Sequence, residues 1–180
     1  TIIASTGSSS ADTADLPGHD ITTALTAGGS VGVNAVRDAA LYSYNMFLTL
    51  DGDFIGAFAA AQSPGARPGP PPQPDFSKRG AIRSVFDGRH RFTRYFAPNE
   101  HHRPDTFEDL IARNDLELFD LDDDPDETTN LARDAESHRD LISKMDALLS
   151  RTIDDEVGVD DGSFLPSGSE IPWDVDRWDV

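Results

Sequence analysis

Apolar positions recur at three- and four-residue spacing in one long stretch of the chain: Leu141, Ile142, Met145, Leu148, Leu149 and Ile153. That spacing places them on one stripe of a helix predicted from about Ala135 to Ile153, with its outer side left to charged residues. Strands are predicted elsewhere. Gly80–Phe86 and His90–Phe96 flank Asp87-Gly88-Arg89 and predict a hairpin. An odd-length loop with Gly88 left-handed puts Ile82, Phe86, Phe92 and Phe96 on one face and Arg83, Arg91 and Tyr95 on the other. A two-residue loop mixes arginines into the apolar face, so parity favours the odd loop. Leu41-Tyr42-Ser43-Tyr44, inside the apolar stretch Ala35–Leu50, and Leu116–Leu121 predict two more strands.

Shorter elements fill the intervals. Residues 1–27 read as the end of a helix, a polar loop at Gly7-Ser8-Ser9-Ser10 and a helical turn at Asp20–Leu25, closed by Gly28-Gly29. A helix from about Asp53 to Ala61 carries Phe54, Ile55 and Phe58 on one side. Prolines at 64, 68, 70, 71, 72 and 74 make residues 63–76 an extended spacer within a domain rather than an SH3-type ligand. Asp124-Pro125-Asp126-Glu127 reads as an N-cap, a proline at the first helical position and a capping-box Glu, with Asn130 ending that turn left-handed. Beyond Val157 the chain is a Gly/Asp/Ser/Pro tail, 158–180, which carries both tryptophans, Trp173 and Trp178. The expected fold class is α+β: a small antiparallel sheet of about four strands with a long C-terminal helix packed on one face.

Charge narrows the partners. The 180 residues hold 33 acidic and 15 basic side chains, a net charge of −18. Nucleic-acid binding is driven by Lys and Arg neutralising phosphates, so this balance argues against a nucleic-acid groove and against docking on an anionic membrane. Lys78 and Lys144 are the only lysines among the 15 basic residues. High carboxylate with little Lys fits a halophile-like surface and equally a plain soluble acidic protein. With no cysteine, these residues supply no disulfide, thiolate zinc site or Cys nucleophile. No apolar run approaches the roughly 20 residues that span a bilayer. Compartment and oligomeric state are not legible.

Little of the candidate chemistry is self-contained. Asp120, Asp122, Asp124 and Asp126 alternate as in an EF-hand loop, but Pro125 stands where its glycine belongs and Leu131 where its bidentate Glu belongs. His101 and His102 are adjacent, so they point different ways and make a poor metal pair. One of them can line an anion pocket with Arg94. Ser63 precedes Arg67 by four residues, yet nothing places a base beside it. No catalytic residue and no metal ligand is assigned.

Four segments, in order, resemble the C-terminal region of type I sulfatases, members of the alkaline-phosphatase-like superfamily. Asp115–Ala132 is similar to the family's "ELYDL…DP.E..NLA" segment, and Val85–Phe92 to its "DGRYKF" strand pair. Thr1–Gly7 resembles the stretch immediately after the "D..P" of a family helix, and Leu16–Ile21 its "GRSL" segment with His19 in place of Arg. The likeness covers residues 1 to about 157. It implies that 1–30 end a truncated catalytic-domain helix and its connecting loop, and that 31–157 form the sulfatase C-terminal subdomain. It also implies a longer parent enzyme that hydrolyses a sulfate ester with calcium and a formylglycine from a C/S-x-P-x-R motif. Ser63-Pro64-Gly65-Ala66-Arg67 lacks that motif's second proline, so the nucleophile is expected in a missing N-terminal catalytic domain and this chain alone is expected to be inactive. Arg94, His101 and His102, with Lys78 and Arg79 behind them, are the candidates for substrate recognition. Alternatives are a phosphoesterase or phosphonate hydrolase of the same superfamily, and a noncatalytic interaction module whose tail packs on a partner.

Overall fold

Four strands, β1 (Ala40–Asn45), β2 (Ala81–Phe86), β3 (His90–Phe96) and β4 (Asp115–Asp120), form one antiparallel sheet in the order β1-β2-β3-β4. The computed structural model describes residues 18–29, 31–32, 34–45, 51–67, 69–101 and 103–162. The helix end and Ser-rich loop expected before Gly18, and the tryptophans, lie outside them. Three short helices, α1 (Thr22–Thr26), α2 (Gly52–Ala61) and α3 (Phe107–Arg113), precede the long helix α4 (Arg139–Glu156). The α+β class, the sheet and the long helix agree with the expectation from pattern.

The stripe on α4 packs on the sheet. Val85, Phe92, Leu118, Ile142, Met145 and Leu149 are each at most 1% exposed, and burial of each such side chain contributes about 2 kcal/mol. The helix ends in a left-handed cap: the N–H groups of Val157 and Gly158 both donate to Ile153 O, at 2.9 and 3.0 Å. Gly158 takes φ +90 there, a conformation that favours glycine.

The hairpin corrects the parity argument. Phe86 pairs with Arg91 and Val85 with Phe92, so the connection is an even, two-residue turn. Gly88, at φ +99, is its first central residue, the place where a type II′ turn wants glycine. The Asp87 carboxylate accepts from the N–H groups of Arg89 and His90, at 2.9 and 2.6 Å, and fixes the turn. Arg83, Val85, Phe92, Arg94 and Phe96 therefore share the face under α4. Ile82, Phe86, Arg91 and Tyr95 share the other. The odd loop assumed that arginines avoid the core face; here carboxylates meet them inside it.

The segment after β4 is also built differently. Glu127, at φ +53, holds the left-handed position, while Asn130 is extended at φ −72, ψ 105. Residues 124–127 make a turn, not a helical turn, whose Asp124 carboxylate accepts from the N–H groups of Thr128 and Thr129. Asn130 caps a 3-10 turn at Leu131–Asp134, so α4 starts at Arg139 rather than near Ala135.

Asp51 anchors the Pro-rich spacer to α2. Its carboxylate accepts from Phe54 N (3.1 Å) at the helix start, Asp75 N (2.8 Å) and Lys78 Nζ (2.6 Å). The Lys78 bond, then the two amides, hold its pKa at about 2 against the ordinary 3.8. A depressed carboxyl pKa means the stabilisation is complete above pH 3.8 and is lost as pH falls toward about 2. A carbon-detected NMR titration of the Asp51 carboxyl should give a midpoint well below 3.8; a midpoint at or above that value contradicts the anchor.

Candidate functional site

One cluster of charge lies inside the fold. Arg83 and Arg94 are register partners on β2 and β3 and are 2% and 3% exposed. Two adjacent buried guanidinium groups persist only where anions face them. Asp160, in the segment that turns back after α4, accepts from Arg83 Nε at 2.8 Å and Arg83 Nη2 at 3.1 Å. Arg83 Nη1 donates to Asn45 Oδ1 (3.1 Å) and to Ile82 O (2.9 Å). His101 Nε2 lies 3.0 Å from Asp160 Oδ1. Its ring meets Phe96 edge-on with centroids 5.4 Å apart. Gly162, at φ +76, runs so close over His101 that a Cβ there would come within 2.8 Å of the ring.

Arg94 is less well served. Its Nη1 is 3.5 Å from Asp146 Oδ1 on α4, and neither Nε nor Nη1 has a hydrogen-bond partner among the described residues. Burial lowers the Arg94 pKa and raises that of Asp146, each against the attraction of the other. At Asp160 burial also disfavours the charge, but the bonds from His101 and Arg83 outweigh it and hold the carboxyl below its ordinary range. Nearer the surface Arg103 grips Asp154 with two 2.9 Å bonds. A cavity of about 30 Å³, large enough for a water molecule, lies among Arg94, Arg103, Ser150 and Asp160.

Three arginines therefore meet three aspartates, and the cluster is close to self-neutralised. Its chemistry is that of a clasp: it ties the 158–162 segment to the sheet through Arg83 and His101. No nucleophile–base pair emerges within it. Ser63 stands apart, its hydroxyl donating to Ala59 O at 3.1 Å at the end of α2. In the EF-hand-like run Arg89 donates to both oxygens of Asp120, and Asp124 accepts from the amides of Thr128 and Thr129. Among the described residues no group of three or more His, Asp or Glu side chains could hold a metal ion.

Of the five recognition candidates, the structure brings Arg94 and His101 into this one cluster. Lys78 is elsewhere, bonded to Asp51. Arg79 pairs with Asp115 at the start of β4 and donates to Ala112 O at 3.4 Å. His102 lies outside the described residues. The sequence reading missed Arg83, Asp146 and Asp160. The available signal was the Gly88-Arg89 pair, whose two-residue turn puts Arg83 and Arg94 on one face.

No protein-family model matches the chain, and no curated protein does.

Proposed function

We propose that the chain is the C-terminal part of a sulfuric-ester hydrolase, a sheet-and-helix unit that braces a catalytic domain. The observation that carries this reading is the resemblance of Asp115–Ala132 to the "ELYDL…DP.E..NLA" segment of type I sulfatases. The residues of that likeness have backbone-building work in this fold. Asp124 collects two amides of its turn, and Asn130 joins β4 to the start of the next turn. Support for a brace comes from Arg83, whose buried charge is met by this chain's own Asp160 rather than left open to a substrate anion.

In this reading calcium and the formylglycine belong to the catalytic domain. This chain contributes position and surface. Lys78 and Arg79, whose side chains are 41% and 33% exposed beside their partners Asp51 and Asp115, are the surface candidates for the organic part of a sulfate ester, and His102 remains a candidate by its place in the sequence. Arg94 and His101 act from beneath by fixing the segments around them.

The coding sequence upstream of Thr1 tests the reading directly. A C/S-x-P-x-R motif in frame is expected, and residues 1–180 alone should not turn over an aryl sulfate. Threonine at the nucleophile position favours the phosphoesterase alternative. A frame without any such motif, or turnover by 1–180 alone, overturns the proposal.

A further inference from the structure

Arg94 carries a charge that the described residues around it do not complete. An arginine keeps its proton at any ordinary pH, so burying one leaves a full positive charge that needs both an anion and hydrogen-bond acceptors. Its register partner Arg83 has both, in two bonds to Asp160 and in those to Asn45 and Ile82 O. Arg94 is 3% exposed, yet its Nε and Nη1 are buried without a hydrogen-bond partner among the described residues. Asp146 supplies charge at 3.5 Å, but its own Oδ1 is equally without a bond. The pair is a contact of charges with donors left over.

Those donors belong to a side chain that walls a cavity. About 30 Å³ of space lies among Arg94, Arg103, Ser150, Ile153, Asp154 and Asp160. Arg94 and Ile153 are buried and form its inner side. Arg103 and Asp154, with side chains 55% and 48% exposed, form its mouth. The volume suits a single-atom species and is small for a sulfate or a carboxylic acid. The carboxylates in the wall are already committed. Asp160 accepts from Arg83 through both oxygens and lies 3.0 Å from His101 Nε2. Asp154 accepts from Arg103 through both of its own. Arg94 is left as the charge in the wall that an incoming anion can meet.

We propose that this cavity binds one halide ion, chloride under ordinary conditions, which accepts from Arg94 and is attracted by Arg103. A halide accepts from several N–H groups at once and makes no directional demand of them. A water molecule fits the same volume but brings no charge to set against the guanidinium. The ion adds one negative charge to three arginines and three aspartates. Asp146 is the group able to balance it by taking up a proton, since burial already raises its pKa. The chain's net charge of −18 acts weakly at the site, because exposed charges farther away than about 8 Å are largely screened at physiological salt. The same charge keeps unspecific chloride binding low. Chloride binding here neither needs nor excludes a catalytic domain.

Chloride NMR of the intact chain tests the site, since exchange with a protein-bound ion broadens the free chloride line. Broadening several-fold above a protein-free blank is expected, and bromide should reverse it. It should fall to the blank in Arg94→Met and in Ser150→Leu, which extends a side chain from the cavity wall. Arg89→Met, at a surface arginine paired with Asp120, should leave it unchanged. Circular dichroism checks the fold of each variant, and Ser150→Leu decides the matter if Arg94→Met does not fold. A line no broader than the blank means that water occupies the cavity and overturns the proposal. Broadening that survives in both cavity variants, or that falls equally in Arg89→Met, overturns it in favour of diffuse surface binding. Displacement by sulfate but not by bromide overturns the choice of a single-atom ion.

Discussion

Asp160→Ala is expected to destabilise the protein by about 3 kcal/mol, because removing one partner of a buried ion pair leaves the other charge uncompensated. Arg83 is 2% exposed and loses both bonds to the carboxylate, keeping those to Asn45 and Ile82 O. His101 loses the same acceptor. Arg94→Met is expected to cost less than Asp160→Ala, since the 3.5 Å contact with Asp146 that it removes carries no hydrogen bond from Arg94 Nη1. Arg94 already lacks hydrogen-bond partners at Nε and Nη1. Asp146, whose pKa burial raises, can meet the loss of its cation by taking up a proton. Denaturant unfolding separates the two if the midpoint moves at constant slope. Equal effects, or a larger one at Arg94, contradict the assignment of Arg83 as the true partner of Asp160. The pH dependence has a definite sign. Asp160 has a depressed pKa, so its contribution is complete above the ordinary carboxyl value and survives into acid before being lost as pH falls through the depressed one.

What was legible in the sequence divides along a physical line. The α4 stripe, the β1, β2, β3 and β4 segments and helix α2 come from periodicity, because apolar burial is the largest favourable term and leaves the clearest pattern. Where ion pairs are buried the pattern inverts. Arg83 and Arg94 look like solvent-facing residues when only their neighbours along the strand are read. Their partners Asp160 and Asp146 lie 77 and 52 positions away in the numbering, a separation that local reasoning does not cross. The turn after β4 failed for a related reason. Asp124-Pro125-Asp126-Glu127 satisfies every local rule for a helix start, but Arg91 on β3 pairs with Glu127, and Glu127 takes the left-handed conformation at that contact. Tertiary contact decided the conformation against propensity.

Asn130 concentrates that backbone role in one side chain. Its Oδ1 accepts from Leu118 N (3.0 Å) on β4 and from Ala132 N (2.9 Å), and its Nδ2 donates to Leu116 O (2.9 Å). A single amide thus pairs two main-chain groups on the outer side of an edge strand and caps the following turn. Leu118 is fully buried, so its N–H has no water to replace the lost acceptor. Asn130→Ala is expected to cost about 3 kcal/mol, because leaving each buried main-chain group unpaired costs about 1 kcal/mol or more. Asn130→Asp keeps the shape and both acceptor bonds but turns a carboxylate oxygen toward Leu116 O, where a donor is required. It should lose a comparable amount at neutral pH and recover part of it in acid, where the protonated carboxyl can donate. Thermal unfolding at two pH values distinguishes this from a loss of packing, which would show no recovery. Amide exchange at Leu118 and Ala132 should quicken in both variants ahead of global unfolding, since the lost bonds are local to β4 and the turn that succeeds it. Unchanged exchange at Leu118 would mean that β4 is held by β3 alone and that Asn130 serves no structural purpose there.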